Sequence, residues 1–311
     1  MKKQLTKWLL SFIIIMYIYV RSAARPTARE SRLVSFCVLN RESSGEEPLC
    51  RALYGLTKIR EGEMVKFTVC LAEKIISVES VYEATRDFCR DYLSDAEDAD
   101  IHIVTSPIDI EAERKKSEEE RRLEGLVPYE FSKEYLETLA LYRKIATALC
   151  EFGIILFHGS ALSVDGEGYI FTARSGTGKS THTRLWRKVF RERVEMINDD
   201  KPLVKISDNE ITVFGTPWCG KHGIGANISA PLKAIAVLER SKENSIAEIS
   251  RYEALPKLLA QTYRPKDKEE LRTVLSLVDK LASLLPIYRL SVNMEDEAAE
   301  VAYGKMSRAD K

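Results

Sequence analysis

The segment Tyr169-Ile170-Phe171-Thr172-Ala173-Arg174-Ser175-Gly176-Thr177-Gly178-Lys179-Ser180-Thr181 places two glycines, a lysine and a hydroxyl residue in the order that wraps a backbone around a phosphate chain. Gly176 and Gly178 let the chain curl so that successive N–H groups point inward at phosphate oxygens. A helix expected over Ser180 to Phe190 offers its positive N-terminus to the same anion. Lys179 is the counter-charge for the β and γ phosphates, and the Ser180 hydroxyl is a magnesium ligand, with Ser175, Thr177 and Thr181 completing the cradle. The pattern is GxxxxGK[ST] with Ala173 in place of the first glycine. Alanine is tolerated there so long as its φ stays negative. The expected ligands are ATP and Mg2+.

A second group of candidates is acidic. Asn198-Asp199-Asp200 follows the apolar run Val194 to Ile197. An aspartate at the end of a strand neighbouring a phosphate loop binds magnesium, and an adjacent one can act as general base toward an attacking hydroxyl. The competing reading is an Asp-rich capped turn. His158, at the end of the strand Gly153 to Phe157, is a further site candidate, because that strand is expected beside the loop. His182 opens the helix after the loop and reads as a lining residue. Lys221 and His222 lie in Gly215 to Gly225, a stretch containing Gly, Pro and Trp. It reads either as a substrate or phosphate clamp, with Lys221 as its charge, or as an ordinary surface loop.

These residues need elements to hold them. Residues 64–71 and 73–80 read as a hairpin-like pair of strands, Val81 to Leu93 as a helix, and Ala99 to Val104 as a strand carrying a structural His102. Glu111 to Glu124 is dense mixed charge, a solvated helix or linker. Ser132 to Cys150 is a clean helix that Ser132 can cap. Strands are then expected at 153–157, 161–164, 169–173, 194–197, 203–206, 211–214, 232–238 and 288–292. Helical stretches are expected at 252–285, interrupted near Arg264-Pro265, and at 295–303. Strand, loop, helix, strand marks an α/β core, and the hairpins around it indicate a mixed sheet. The division expected is a doubtful extension at 1–63, a small N-terminal α+β lobe with a charged linker at 64–125, and a nucleotide-binding domain at 126–311.

Bulk properties narrow the field. The chain has 311 residues, enough for one large or two modest cores, and a formal net charge of +0. No global field therefore draws it to nucleic acid or lipid, and no nucleic-acid partner is expected. The 6 cysteines form no CxxC pair and no zinc spacing, and read as free thiols of a reducing compartment. A homo-oligomer stays open.

Trp8 to Val20 is nearly all apolar, with Lys2, Lys3 and Lys7 before it and Arg21 after it. It is short for a transmembrane helix and fits the apolar region of a signal peptide, with Ser22-Ala23-Ala24 as a weak cleavage site. A third reading starts translation at Met64, because Arg60-Glu61-Gly62-Glu63 can be encoded by purine-rich codons resembling a bacterial ribosome-binding site. Anchor, signal and start-site artefact all stand. A loop that needs ATP favours the cytoplasm, and a membrane enters only if the apolar run is real.

Three segments together, His158-Gly159-Ser160-Ala161, then Ser175-Gly176-Thr177-Gly178-Lys179-Ser180, then Asn198-Asp199-Asp200, resemble the HPr kinase and phosphoenolpyruvate carboxykinase superfamily in order and spacing. The Gly215-Thr216-Pro217-Trp218 loop is similar to that of HPr-kinase-related serine kinases accompanying peptide-modification genes, lasso-peptide kinases among them. The resemblance implies a mixed-sheet P-loop core of the phosphoenolpyruvate carboxykinase/HPr kinase type. It also implies Asp199 as base, Asp200 as magnesium ligand, and His158 near the γ phosphate. The activity it implies is transfer of the γ phosphate of ATP to a hydroxyl, serine above all, of a peptide, protein or small molecule. A non-catalytic nucleotide-binding regulator is the second reading. A carboxykinase-like enzyme is the third, since the arginines it needs for substrate carboxylates have no evident place here.

Overall fold

The computed structural model describes residues 64–308 apart from 124, 126 and 209. The apolar run at Trp8 to Val20 and the readings of residues 1–63 lie outside them. Among the described residues, no helix is long and apolar enough to cross a membrane.

The chain begins with a small sheet. Strands β1 (Val65–Leu71) and β2 (Lys74–Ser80) pair antiparallel around a tight turn, and β3 (Ile101–Val104) joins β2 in parallel. Alternation along β1 and β2 buries Phe67, Val69, Ile76 and Val78 on one face. The expected helix over 81–93 is broken: α1 (Glu83–Phe88) ends at Cys89 and gives way to a 3-10 turn at Arg90–Tyr92. The break lets Cys89 and Tyr92 both reach the core. The charged stretch is a true helix, α2 (Pro107–Leu123), starting with proline where a missing N–H costs nothing. Next, α3 (Lys133–Leu149) is capped by the Ser132 hydroxyl, which accepts from Tyr135 N.

Among the described residues, nine strands form the main sheet. The path runs β4 (Ile154–Leu156), β8 (Leu203–Ile206), β9 (Ile211–Phe214), β10 (Ser229–Arg240), β6 (Glu167–Thr172), β5 (Ser160–Val164) and β7 (Val194–Asn198). Off this path, β12 (Ile287–Val292) pairs with β10 and with β11 (Ser245–Glu248), a short strand with no clear signal in the sequence. The sheet is mixed: β10 is parallel to β6 and β12 and antiparallel to β9. The architecture is therefore mixed α/β, as the strand and hairpin pattern implies.

Side-chain alternation puts helices on both faces. From β6, Ile170 packs into the core that includes Leu258, Val274, Val278 and Leu281, from α5 (Arg251–Ala260) and α6 (Lys268–Leu284). Its neighbours Tyr169 and Phe171 face the other core, with Leu185 and Trp186 of α4 (Lys179–Phe190) and the alanines of α7 (Glu297–Met306). A third cluster joins the small sheet, α3, β4, Phe214 and Trp218. Apolar contacts thus run without a break across position 125.

Candidate functional site

The motifs converge because of how β5, β6 and β7 are ordered. Strand β5 lies between β6 and β7 and runs antiparallel to both, so β6 and β7 end on the same side of the sheet, where β5 begins. Ser160 is level with Phe171, and Ala161 with Asn198. The glycine loop after β6, the acidic pair after β7 and His158-Gly159 before β5 therefore meet at one edge. Backbone and hydroxyl bonds lock them together. Gly159 N donates to Asp200 O (3.0 Å), Ser160 Oγ to Asp199 O (2.8 Å), and Thr172 Oγ1 to His158 O (2.9 Å).

Within the loop, Gly176 and Gly178 have φ of 76° and 127°. Only glycine adopts these without strain, and a Cβ at either would meet nothing within 4 Å, so backbone conformation and not space fixes the residue type. Ala173 has no positive φ and is buried, which accounts for its standing where a glycine is usual. Lys179 opens α4 and folds back, its Nζ donating to Ala173 O at 3.0 Å. Burial lowers its pKa; the Asp200 carboxylate counters that and the Lys201 ammonium adds to it, so both side chains lie within reach of the Lys179 charge. Ser180 is exposed in the first turn of α4.

The acidic pair is held from several directions. The Asn198 amide oxygen accepts from Asp200 N (2.8 Å) and Lys201 N (2.6 Å), shaping the turn, while its amide nitrogen donates to the carbonyl and hydroxyl of Thr216. Asp199 is buried, and its Oδ1 accepts from Gly220 N at 2.6 Å. Asp200 receives His158 Nε2 at 3.2 Å on Oδ1 and Lys201 Nζ at 2.7 Å on Oδ2. Burial pushes the Asp200 carboxyl up, but the His158 hydrogen bond and the Lys201 charge outweigh it and hold the pKa at about 2. Asp200 is thus an anion at any physiological pH.

The loop at 215–225 braces this turn. A Cβ on Gly215 would stand 1.9 Å from Ala226 O, so the chain passes there only as glycine. Trp218 is buried, donates from Nε1 to Thr138 O (3.0 Å) and lies against Phe88 and Tyr142. The loop therefore ties Asp199 to α3 through backbone and core contacts. Lys221 and His222 are exposed, and the structure gives neither a hydrogen bond nor an ion pair to the acidic residues. His182 is buried against Phe171, with Nε2 accepting from Trp186 Nε1 at 3.0 Å, and burial lowers its pKa to about 3. It is a neutral core side chain.

Two contributors escape sequence reasoning. Lys201 is adjacent to the pair, but nothing in its type says that it will turn back onto Asp200. Arg240, at the end of β10, donates from Nε to Thr177 O at 3.1 Å and from Nη2 to Gly176 O; it lies 63 residues from Thr177 and follows no pattern. Two cavities, of about 520 and 580 Å3, are lined by none of the motif residues; the first is formed by Arg121, Tyr129, Phe131, Ser132 and Tyr135.

Hard oxygen donors are the ones available here. Among the described residues there is no cluster of three His, Cys, Asp or Glu side chains that would cage a metal ion. Asp200 and Ser180 offer a carboxylate and a hydroxyl, the donor types that a magnesium ion takes beside phosphates and water. Each Asp200 oxygen has one partner, and a carboxylate oxygen has two lone pairs, so a metal on this carboxylate would share it with Lys201 and His158.

No protein-family model matches the chain, and no curated protein does. Among solved structures, it is similar to the Hpr(Ser) kinase/phosphatase from Coxiella burnetii, with 10% sequence identity, a TM-score of 0.28, and coverage of 49% of this chain and 98% of that one.

Proposed function

We propose that the protein is an ATP-dependent kinase, with a P-loop core of the HPr kinase and carboxykinase type, that transfers the γ phosphate to a hydroxyl of a peptide, protein or small molecule. One observation carries this reading: a glycine loop ending in Lys179 shares one sheet edge with a buried and a charged aspartate, close enough for Lys179 to feel Asp200. Lys179 supplies positive charge to the β and γ phosphates, and the amides of the loop and the start of α4 supply the rest. Asp199 Oδ1 is fixed by Gly220 N, which leaves Oδ2 to accept the proton of the acceptor hydroxyl. The hydroxyl oxygen then bonds to the γ phosphorus as its bond to the β–γ bridging oxygen breaks, ADP leaves, and the proton passes from Asp199 to solvent. Magnesium, held by Ser180 and Asp200, would offset the charge on the phosphates. His158, hydrogen-bonded to Asp200, keeps that carboxylate in place beside the γ phosphate.

A nucleotide-binding regulator without transfer is the second reading. It is favoured by the engagement of both Asp200 oxygens by His158 and Lys201. The test is incubation with γ-labelled ATP, magnesium and hydroxyl-bearing peptides, beside an Asp199→Asn variant. Label transfer that falls about a hundredfold or more in the variant supports the kinase. Tight ATP binding without transfer supports the regulator, and absence of ATP binding overturns both.

A further inference from the structure

Resting on the nucleotide reading of the loop, we propose that Arg240 is a positioning residue of the phosphate cradle, whose forked guanidinium anchors the Gly176 and Thr177 carbonyls so that the loop amides face the nucleotide. The loop needs such an anchor. Gly176 and Gly178 flank Thr177, and glycine passes readily between positive and negative φ, so the peptide planes on either side of Thr177 can flip with little resistance. A flipped plane would turn a carbonyl oxygen toward the phosphates in place of an N–H. In a planar trans peptide the carbonyl and the following N–H point in opposite directions. Fixing Thr177 O on Arg240 therefore aims Gly178 N–H the other way, and that N–H has no backbone acceptor among the described residues. The Thr177 N–H already closes a turn onto Arg174 O at 3.2 Å, whereas the Gly178 N–H stands among the loop amides left for a phosphate oxygen.

Topology explains how a residue so distant in sequence reaches the loop. Strand β10 is parallel to β6, with Val237 level with Thr172. Both strands therefore end on the same side, and Arg240, three residues past Val237, stands beside the loop that follows Thr172. Arg240 is exposed, its register neighbour on β12 is Val292, and among the described residues no ion pair holds it. The two loop carbonyls are its hydrogen-bond acceptors. A planar fork can hold two adjacent carbonyls at once, whereas a lysine ammonium offers a point charge without that geometry.

The test measures MgATP affinity and nucleotide-free melting temperature for the unmodified protein and for Arg240→Ala, Arg240→Lys and Lys179→Ala. Expected are a loss of about tenfold in affinity for both Arg240 variants, a larger loss for Lys179→Ala, and unchanged melting of the Arg240 variants without nucleotide. Full affinity in Arg240→Lys would show that charge and not the fork matters, and overturns the proposal. So does full affinity in Arg240→Ala, or a fall in nucleotide-free melting that matches the loss of binding. If the unmodified protein binds no MgATP, the nucleotide reading itself falls and this inference with it. Binding lost only in Lys179→Ala removes this inference alone.

Discussion

His158 and His182 show how little a residue's type says about its task. Both lie near the glycine loop in sequence, yet one is half-exposed and hydrogen-bonded to Asp200, while the other is sealed against Phe171 and Trp186. Orientation at the start of a helix decides the second case: His182 sits on the face of α4 that packs onto β6, four residues before Trp186. Its burial has a consequence for pH. The imidazole titrates at an ordinary 6.5 in the unfolded chain and near 3 in the folded one. Between those values the unfolded chain binds more protons, so this residue's contribution to stability is fully present above about pH 6.5 and is lost as the pH falls toward 3. At about 1.4 kcal/mol per pH unit, the whole window is worth on the order of 5 kcal/mol. A His182→Gln variant should flatten the stability difference between pH 7 and pH 4 relative to the unmodified protein. Denaturant titrations at the two pH values measure this, and an unchanged acid limb would contradict it. Asn198 makes the complementary point. The sequence marks it only as the residue before an acidic pair, but its amide shapes the turn and reaches across to Thr216.

At the scale of elements, local pattern and chain topology contribute unequally. The strand before the loop, the helix after it and the apolar run before Asp199 were legible, because burial on a sheet and amphipathic spacing leave a mark within ten residues. So was the Ser132 cap. What the sequence could not show is that β5 separates β6 and β7 and brings three motifs to one edge, or that β10 carries Arg240 to the loop; strand pairing over long separations depends on the whole sheet. The short strand β11, with only one half-buried apolar residue, Ile246, gave no periodic signal. The 215–225 loop is partly legible, since its glycines and Trp218 announce an ordered turn without saying what it touches. Here the geometry sets a prediction. Gly215→Ala puts a methyl 1.9 Å from a backbone oxygen and must displace the loop, at a cost of more than about 2 kcal/mol. Gly304→Ala, in the last turn of α7 with nothing within 4 Å of the new methyl, should instead stabilise by up to about 0.5–1 kcal/mol. Thermal melting of the pair gives opposite signs if the close approach at Gly215 is real, and a neutral Gly215→Ala would show that the loop can relax around it.

Across the whole molecule, the small N-terminal sheet is fastened to the rest through Glu137 of α3. This carboxylate is fully buried and accepts four hydrogen bonds, from Val81 N, Tyr82 N, Thr85 Oγ1 and Thr105 Oγ1. Those donors belong to the connections around β2, α1 and β3, so one side chain satisfies the ends of several elements at once. The cluster beneath it mixes Phe67, Val69, Ile76 and Ile103 of the small sheet with Leu141, Ile145 and Leu149 of α3 and with Trp218 of the loop that braces Asp199. Loss of the Glu137 anchor should therefore loosen the small sheet and, through α3 and Trp218, the acidic turn as well. Glu137→Leu strips all four donors of their acceptor and should cost about 3–5 kcal/mol; Glu137→Gln keeps the shape but presents N–H groups to donors and should cost about 2–3 kcal/mol. The unfolding transition should remain single in both variants, since the apolar contacts cross from residues 67–103 to residues 141–218 without a gap. Denaturation followed both by far-UV circular dichroism and by tryptophan fluorescence tests this, with Trp218 in the shared cluster and Trp186 in the core behind the glycine loop. Coincident midpoints, shifted in the expected order, support a molecule whose small sheet and candidate site stand on one core; an early, separate loss of the small sheet in Glu137→Leu would show that the two are stabilised independently.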